Sequence, residues 1–151
     1  ANAFGFGGPS RPLNRCLVNV VNARETSRML EIDLGRGDRI QECRGLVKAV
    51  LRGLELKECV KDASLYLPEG RKRQAALDAG RDGIEYLASA VEFDAWDKLD
   101  KEFTSNVALR NMTPDNVQFV RMALDAAGTC LDSFLGVFPP VAVEDAGEVY
   151  R

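Results

Sequence analysis

The spacing of the apolar residues constrains the fold more than any other feature of this sequence. Between residues 38 and 66, apolar side chains return at intervals of three and four residues, with Arg, Lys and Glu between them. This spacing places them on one face of an α-helix, whereas a half-buried strand would alternate at every second residue. The same period returns in later segments, so the sequence predicts an all-α fold.

Turn signals divide this pattern into four helices. The first predicted helix covers residues 38–66 and ends at Pro68, and a second begins at about Arg71. Asp94 has the position of an N-cap for a third helix, and Pro114 lies in the first turn of a fourth. Short connections favour antiparallel neighbours, which predicts an up-down-up-down four-helix bundle.

Gly80 and Gly83 interrupt the apolar stripe of the second helix. Each glycine lowers the helix propensity of this segment, so we expect them to permit close contact with a neighbouring helix. The stripe itself consists of Leu77, Ile84, Leu87, Ala88 and Val91.

The chain is long enough for one domain with a sizeable core, since 46% of its 151 residues are hydrophobic. Residues 1–12 are rich in Gly and Pro and predict an extended N-terminal arm. Residues 13–138 are predicted to form the helical bundle domain, although β-branched residues weaken the helical pattern of residues 13–34. Residues 139–151 form a short acidic C-terminal tail with room for one short helix.

The composition argues against several classes of function. A net charge of −3 predicts no nucleic-acid partner, and no run approaches the roughly 20 apolar residues of a membrane-spanning helix. The chain has no histidine, which removes Ser-His-Asp and Cys-His catalytic arrangements and the Glu-x-x-His ligands of di-iron bundles. We therefore predict a protein that is not an enzyme, with no catalytic residues, no metal site and no cofactor.

Carboxylates are the only remaining candidates for chemistry. Asp78, Asp82 and Glu85 lie at i, i+4 and i+7 of the second helix, where they could bind a cation or act as acid and base. A second set repeats every three residues in the third helix: Asp94, Asp97 and Asp100. Both spacings favour a solvated acidic face over a site.

The four cysteines are compatible with two disulfides or with four buried thiols, and the sequence leaves both open. They are Cys16, Cys43, Cys59 and Cys130, and no two of them form a Cys-x-x-Cys pair. On one continuous helix, Cys43 and Cys59 would lie about 24 Å apart along the axis, beyond disulfide reach. Any bridge from either would then go to Cys16 or Cys130.

Basic and aromatic residues are the candidate contacts with a partner protein. Arg71, Lys72 and Arg73 open the second helix, where positive charge opposes the helix dipole, so the helix alone does not explain them. Four further candidates lie on the arm or beside it: Phe4, Phe6, Arg11 and Arg15. The phenylalanines either fold back or dock, and the cations either bind an acidic surface or keep the chain soluble.

A helix junction with a tryptophan landmark stands out in the second half of the chain. Residues 85–99 read Glu-Tyr-Leu-Ala-Ser-Ala-Val-Glu-Phe-Asp-Ala-Trp-Asp-Lys-Leu. Later helical segments continue the pattern at residues 107–112, 123–127 and 132–135, then at Ala146 and Tyr150. The pattern resembles the PsbQ family, whose members are extrinsic luminal subunits of photosystem II.

The resemblance implies a four-helix bundle on the luminal face of photosystem II, with the photosystem II core and other extrinsic subunits as partners. Such a subunit helps to retain calcium and chloride for the oxygen-evolving complex through protein contacts. The cysteine-bearing helical region before residue 70 departs from the plant-type pattern and looks closer to the PsbQ-like subunits of diatoms and related red-lineage algae. The implied location is the chloroplast thylakoid lumen, peripheral to the membrane.

Other readings of the sequence remain open. Residues 1–3, Ala-Asn-Ala, have the small-x-small form that precedes a signal-peptidase cut and hint at export, although so short a match also arises by chance. A linker or assembly subunit of photosystem I or of a light-harvesting antenna would have the same sequence features. A helical bundle that binds a small ligand between its helices is the alternative from a different class.

Overall fold

The computed structural model describes residues 8–92 and 114–151, and within these ranges the protein consists of six helices and no strand. The helices are α1 (Leu13–Gly35), α2 (Ile40–Gly53), α3 (Leu56–Ser64), α4 (Arg71–Val91), α5 (Pro114–Leu135) and α6 (Pro140–Tyr150). The predicted all-α fold is therefore confirmed. The third predicted helix, which would start at Asp94, lies outside the described residues.

The prediction of one helix over residues 38–66 is wrong. α2 ends at Gly53, α3 begins at Leu56, and Glu55 between them has a left-handed backbone with a φ of 48°. Glycine is a poor helix residue, and Gly53 occupies the last position of α2. The break turns α3 so that Leu56 is fully buried, which a continuation of the first stripe would not achieve.

A glycine-based cap ends α1. The N–H of Gly37 donates to the carbonyl of Leu34 at 3.0 Å, and the N–H of Asp38 donates to the carbonyl of Asp33 at 2.8 Å. These are the two hydrogen bonds of a Schellman motif. Gly37 has a φ of 78°, a conformation that glycine adopts without a steric penalty, so the chain can turn here into α2.

α5 packs against both α1 and α4 and contributes much of the core. Its side chains Leu124, Leu131 and Phe134 are fully buried. Glu31 near the end of α1 binds Arg121 near the start of α5 at 2.8 Å. Arg24, earlier in α1, binds Asp132 near the end of α5 at 3.2 Å. These contacts make α1 and α5 antiparallel.

Two glycines allow α4 to pack closely, and the contact expected from the sequence is confirmed. A Cβ on Gly80 would lie 2.4 Å from Cγ1 of Val60 on α3. A Cβ on Gly83 would lie 3.0 Å from Cδ2 of Leu131 on α5. Any larger residue at Gly80 therefore requires α3 or its side chains to move.

The C-terminal tail contains the short helix that the sequence allowed. Pro140 starts α6, at a position where its missing N–H costs no hydrogen bond. α6 packs against α1, and Ala146 is fully buried in the core. Among the helices that the structure describes, none is both long and apolar enough to cross a membrane.

Candidate functional site

A groove of about 830 Å³ lies between α3 and α4. Its apolar lining comes from Val60 and Leu65 near α3 and from Leu77 and Ile84 on α4. Charged and polar residues complete the lining: Lys57, Glu58, Lys61, Ser64, Arg73, Arg81 and Glu85. The volume falls within the range of roughly 300–1,000 Å³ that is usual for ligand pockets. We call this feature the α3–α4 groove.

Helical spacing brings these residues to the groove. Lys57 and Lys61 are four residues apart on α3, and Leu77, Arg81 and Ile84 follow at intervals of four and three on α4. Residues three or four apart share a helix face, so each helix presents one continuous strip of side chains. The break after α2 sets the direction of α3 and thereby the shape of the groove.

Arg11 holds the N-terminal segment against α3. Its Nη2 lies 2.6 Å from Oε2 of Glu55, and its Nη1 lies 2.9 Å from Oδ2 of Asp62. The hydroxyl of Tyr66 donates to the carbonyl of Arg11 at 2.8 Å. The hydrogen bond to Asp62, followed by that to Glu55, raises the pKa of Arg11. This predicted docking residue is thus engaged inside the chain.

The α3–α4 groove is locally cationic. Among its lining residues, four carry a positive charge and two carry a negative charge, although the whole chain has a net charge of −3. Lys57 and Lys61 are exposed and bind no carboxylate among the described residues. Arg81 lies 3.9 Å from Asp78, with both side chains more than half exposed, so water screens that pair. The positive charge of the groove is therefore available to a partner.

Arg73 has a role within the chain. Its Nη2 donates to the carbonyl of Leu67 at 2.6 Å, and its Nε donates to the same oxygen at 3.1 Å. Its Nη1 also lies 3.7 Å from Glu69. These bonds satisfy carbonyl groups after the end of α3, which gives an intrachain reason for one cation at the start of α4.

The other predicted docking residues divide into two groups. Arg71, Lys72 and Arg15 are exposed, so their charges reach solvent. Arg71 and Lys72 precede Arg73 in the first turn of α4, where they extend the positive charge beyond the groove. Phe4 and Phe6 lie outside the described residues.

The predicted acidic set lies on the surface. Asp78, Asp82 and Glu85 are all exposed. Asp78 accepts a hydrogen bond from Nε2 of Gln74 at 2.8 Å. No cluster of three potential metal-ligating side chains occurs within residues 8–92 and 114–151. The second predicted acidic set, Asp94, Asp97 and Asp100, lies outside these ranges.

The structure brings two of the four cysteines together. The thiols of Cys16 on α1 and Cys59 on α3 share a hydrogen bond, and both residues are fully buried. All four cysteines are free thiols; Cys43 is also buried and Cys130 is half-buried. Because α2 and α3 are separate helices, the spacing of about 24 Å assumed for Cys43 and Cys59 no longer applies.

The environments of the thiols differ in their effect on pKa. Burial alone raises the pKa of Cys43 to about 12. The hydrogen bond between Cys16 and Cys59 raises the pKa of Cys16 and lowers that of Cys59. The side-chain amide of Asn19 and the charge of Arg11 lower the pKa of Cys59 further, against the effect of desolvation. Cys59 is therefore the more acidic thiol of the pair.

Sequence reasoning missed the charged residues of the groove. Lys57, Lys61 and Arg81 were not among the predicted contacts, because their spacing is typical of the solvated face of a helix. The pair at i and i+4 on α3 was the available signal. Only the approach of α3 to α4 makes these cations border one apolar surface.

Comparison with known proteins supplies no relative from which a function could be transferred. No protein family, no characterised protein and no solved structure shows a significant match to the chain.

Proposed function

We propose that the chain is a non-catalytic extrinsic subunit of photosystem II on the luminal side. In this role it stabilises the oxygen-evolving complex and its retention of calcium and chloride through protein contacts. The observation that carries the proposal is the α3–α4 groove, which combines apolar surface with cations, of which Lys57 and Lys61 bind no carboxylate among the described residues. The PsbQ-like pattern at residues 85–99 supports the same assignment.

The partner for the groove is an acidic segment of a photosystem II subunit that also carries apolar side chains. Its carboxylates would meet Lys57, Lys61 and Arg81, and its apolar side chains would cover Leu77 and Ile84. Charge complementarity of this kind steers association and fixes the orientation of the partner, while the apolar contact supplies affinity. Binding should therefore weaken as the ionic strength rises.

The subunit retains ions by shielding the site where they are bound. A body of packed helices placed over that site slows the exchange of calcium and chloride with bulk solvent. No ligand to either ion has to come from this chain. Its location is the thylakoid lumen, peripheral to the membrane, and its neighbours are the photosystem II core and other extrinsic subunits.

We also propose that the helices form an up-down-up-down four-helix bundle, with α2 and α3 together acting as its second member. α5 is antiparallel to α1 through its ion pairs, and antiparallel to α4 through the contacts of Gly80 with Phe134 and of Gly83 with Leu131. Gly80 in the middle of α4 lies against Val60 of α3, and Arg73 at the start of α4 binds the carbonyl of Leu67 after the end of α3, so these two helices are also antiparallel. These directions support the bundle.

Rebinding to photosystem II tests the proposal. The purified chain is added at increasing salt to photosystem II cores stripped of extrinsic proteins, and bound protein and oxygen evolution are both measured. We expect saturable binding at low salt that raises oxygen evolution and is lost at high salt. A chain that fails to bind at low salt would overturn the assignment.

Three variants locate the contact. Lys57→Gln/Lys61→Gln/Arg81→Gln removes three exposed positive charges of the groove, and we expect affinity to fall by about 5- to 50-fold at low salt. Arg71→Gln/Lys72→Gln tests the cations at the start of α4. The matched control, Arg36→Gln/Arg52→Gln, removes two exposed cations outside the groove lining and should bind like the unaltered chain. Equal losses in all variants would indicate attraction to overall charge and not docking at the groove.

The dimensions of the groove also favour a second candidate, a small amphipathic anion as ligand. About 830 Å³ bordered by apolar and cationic side chains can hold a molecule with one acidic group. Native mass spectrometry of the freshly purified chain distinguishes the two functions. A copurifying ligand that is lost in the groove variant supports the second candidate, and a ligand-free chain that rebinds to photosystem II supports the first.

A further inference from the structure

Cys16 and Cys59 meet at the beginnings of two different helices. Cys16 lies in the first turn of α1, where its N–H donates to the carbonyl of Pro12 at 3.2 Å. Cys59 lies in the first turn of α3, where its N–H donates to the carbonyl of Glu55 at 2.9 Å. The positive ends of two helix dipoles therefore converge on one pair of sulfur atoms, which favours a thiolate.

The neighbours of the pair fix its geometry. Asn19, one turn after Cys16, places its Nδ2 at 3.5 Å from Sγ of Cys59. The same Nδ2 donates to the carbonyl of Leu54 at 3.0 Å, and Sγ of Cys59 lies 3.5 Å from that oxygen. Cys16, Asn19 and Cys59 thus form one polar cluster, in which the two cysteines are fully buried and Asn19 is half-buried. The left-handed break between α2 and α3 is what delivers Cys59 to it.

We propose that Cys16 and Cys59 are an oxidisable dithiol whose disulfide links α1 to α3, while Cys43 and Cys130 remain thiols. The structure selects this pair because Sγ of Cys59 lies 3.5 Å from Nδ2 of Asn19, one turn after Cys16, and the two buried thiols share a hydrogen bond. Cys43 is enclosed without a thiol partner among the described residues, and burial is the cause of its raised pKa. The proposal is independent of docking to photosystem II.

The chemistry is thiol–disulfide exchange with a small disulfide, such as glutathione disulfide, as the oxidant. The thiolate of Cys59 attacks one sulfur of the oxidant, which releases one thiolate and leaves a mixed disulfide on Cys59. Cys16 then loses its proton and attacks Sγ of Cys59, which releases the second thiolate. The two cysteine protons pass to the two released thiolates, and two electrons pass to the oxidant.

Burial sets the rate of this reaction. Both residues have no exposed surface, so the oxidant reaches Cys59 only when α1 and α3 separate locally. Oxidation of the folded chain should therefore be slow, and it should accelerate in urea below the unfolding transition. A surface thiol would react at nearly the same rate in both conditions.

The test is oxidation of the reduced full chain by glutathione disulfide, with and without low urea. After free thiols are alkylated, intact mass and peptide mapping identify any bridge. We expect a mass about 2 Da below that of the reduced chain before alkylation, two alkylated thiols and a single linked pair, Cys16 with Cys59. A different linked pair, stable glutathione adducts without a bridge, or four free thiols in low urea would each overturn the proposal.

Cysteine variants distinguish the loss of the disulfide from a failure of the chain to fold. Cys43→Ala/Cys130→Ala keeps the proposed dithiol and should still lose about 2 Da on oxidation. Cys16→Ala and Cys59→Ala should each remain without an internal bridge, and each should accumulate a glutathione adduct on the remaining partner. Far-UV circular dichroism verifies that every variant is helical. If either single variant misfolds, the peptide map of the unaltered chain decides the question.

Discussion

Gly80 on α4 packs closely against Val60 on α3. Replacing this glycine with alanine should therefore lower the free energy of unfolding, although alanine has the higher helix propensity. In Gly80→Ala, the new methyl group would lie 2.4 Å from Cγ1 of Val60 and 3.2 Å from Cδ1 of Phe134. Val60 is 4% exposed and Phe134 is fully buried, so the overlap would fall on two side chains that are packed against the core.

The expected loss follows from two opposing effects. Overpacking a core costs about 1–3 kcal/mol, and an overlap with two buried side chains places Gly80→Ala in the upper part of that range. Alanine regains about 1 kcal/mol of helix propensity. We therefore expect the free energy of unfolding to fall by about 1–2 kcal/mol. Urea unfolding followed by circular dichroism at the helical band measures it.

Gly45 on α2 supplies the matched control. It is also helical, it is exposed, and a Cβ there would meet nothing within 4 Å. Gly45→Ala should therefore raise the free energy of unfolding by about 0.5–1 kcal/mol. In a Val60→Ala background the overlap is relieved, so Gly80→Ala should become neutral or stabilising, a coupling of about 2 kcal/mol. If Gly80→Ala stabilises the unaltered chain as Gly45→Ala does, the close packing of α3 on α4 is refuted.

Three further predictions concern charge, pH and oxidation. Arg11→Gln leaves the two carboxylates that bind this guanidinium without their cation, so the urea midpoint should fall, whereas Arg15→Gln, at an exposed position, should leave it unchanged. Cys43 has a pKa of about 12 in the folded chain, above that of an exposed thiol, because burial favours the protonated form. Unfolding above about pH 8 lets this thiol lose its proton, so the folded state loses stability as the pH rises toward 12. Between pH 8 and pH 10 the unaltered chain should lose about 1.4 kcal/mol more stability than Cys43→Ala, and parallel pH profiles of the two chains would contradict the burial of this thiol. A disulfide between Cys16 and Cys59 closes a loop of about 44 residues and should raise the free energy of unfolding by about 4 kcal/mol, with no gain in the Cys16→Ala variant after the same oxidation.

The local pattern of the sequence was sufficient for the all-α class and for several places where helices end or begin. Three- and four-residue spacing predicted an all-α fold, and Pro68 and Pro114 marked places where a helix ends or begins. These features depend on residues that are close together in the chain, because a helix satisfies its own backbone and proline acts on its immediate neighbours. For the same reason Gly80 could be associated with close packing before its partner was known.

Tertiary structure decided which of these helices and side chains meet. Nothing in the local pattern distinguishes Arg11, which binds carboxylates 44 and 51 residues away, from Arg15, which is exposed. The break between α2 and α3 at Glu55 was not predictable for the same reason. One continuous helix and two helices that differ in direction have nearly the same spacing of apolar residues. Cys59 meets Cys16, and Lys57 borders an apolar groove, only because α3 packs against both α1 and α4. Such contacts depend on how whole helix faces are buried together, and the sequence spacing of any one helix does not contain that information.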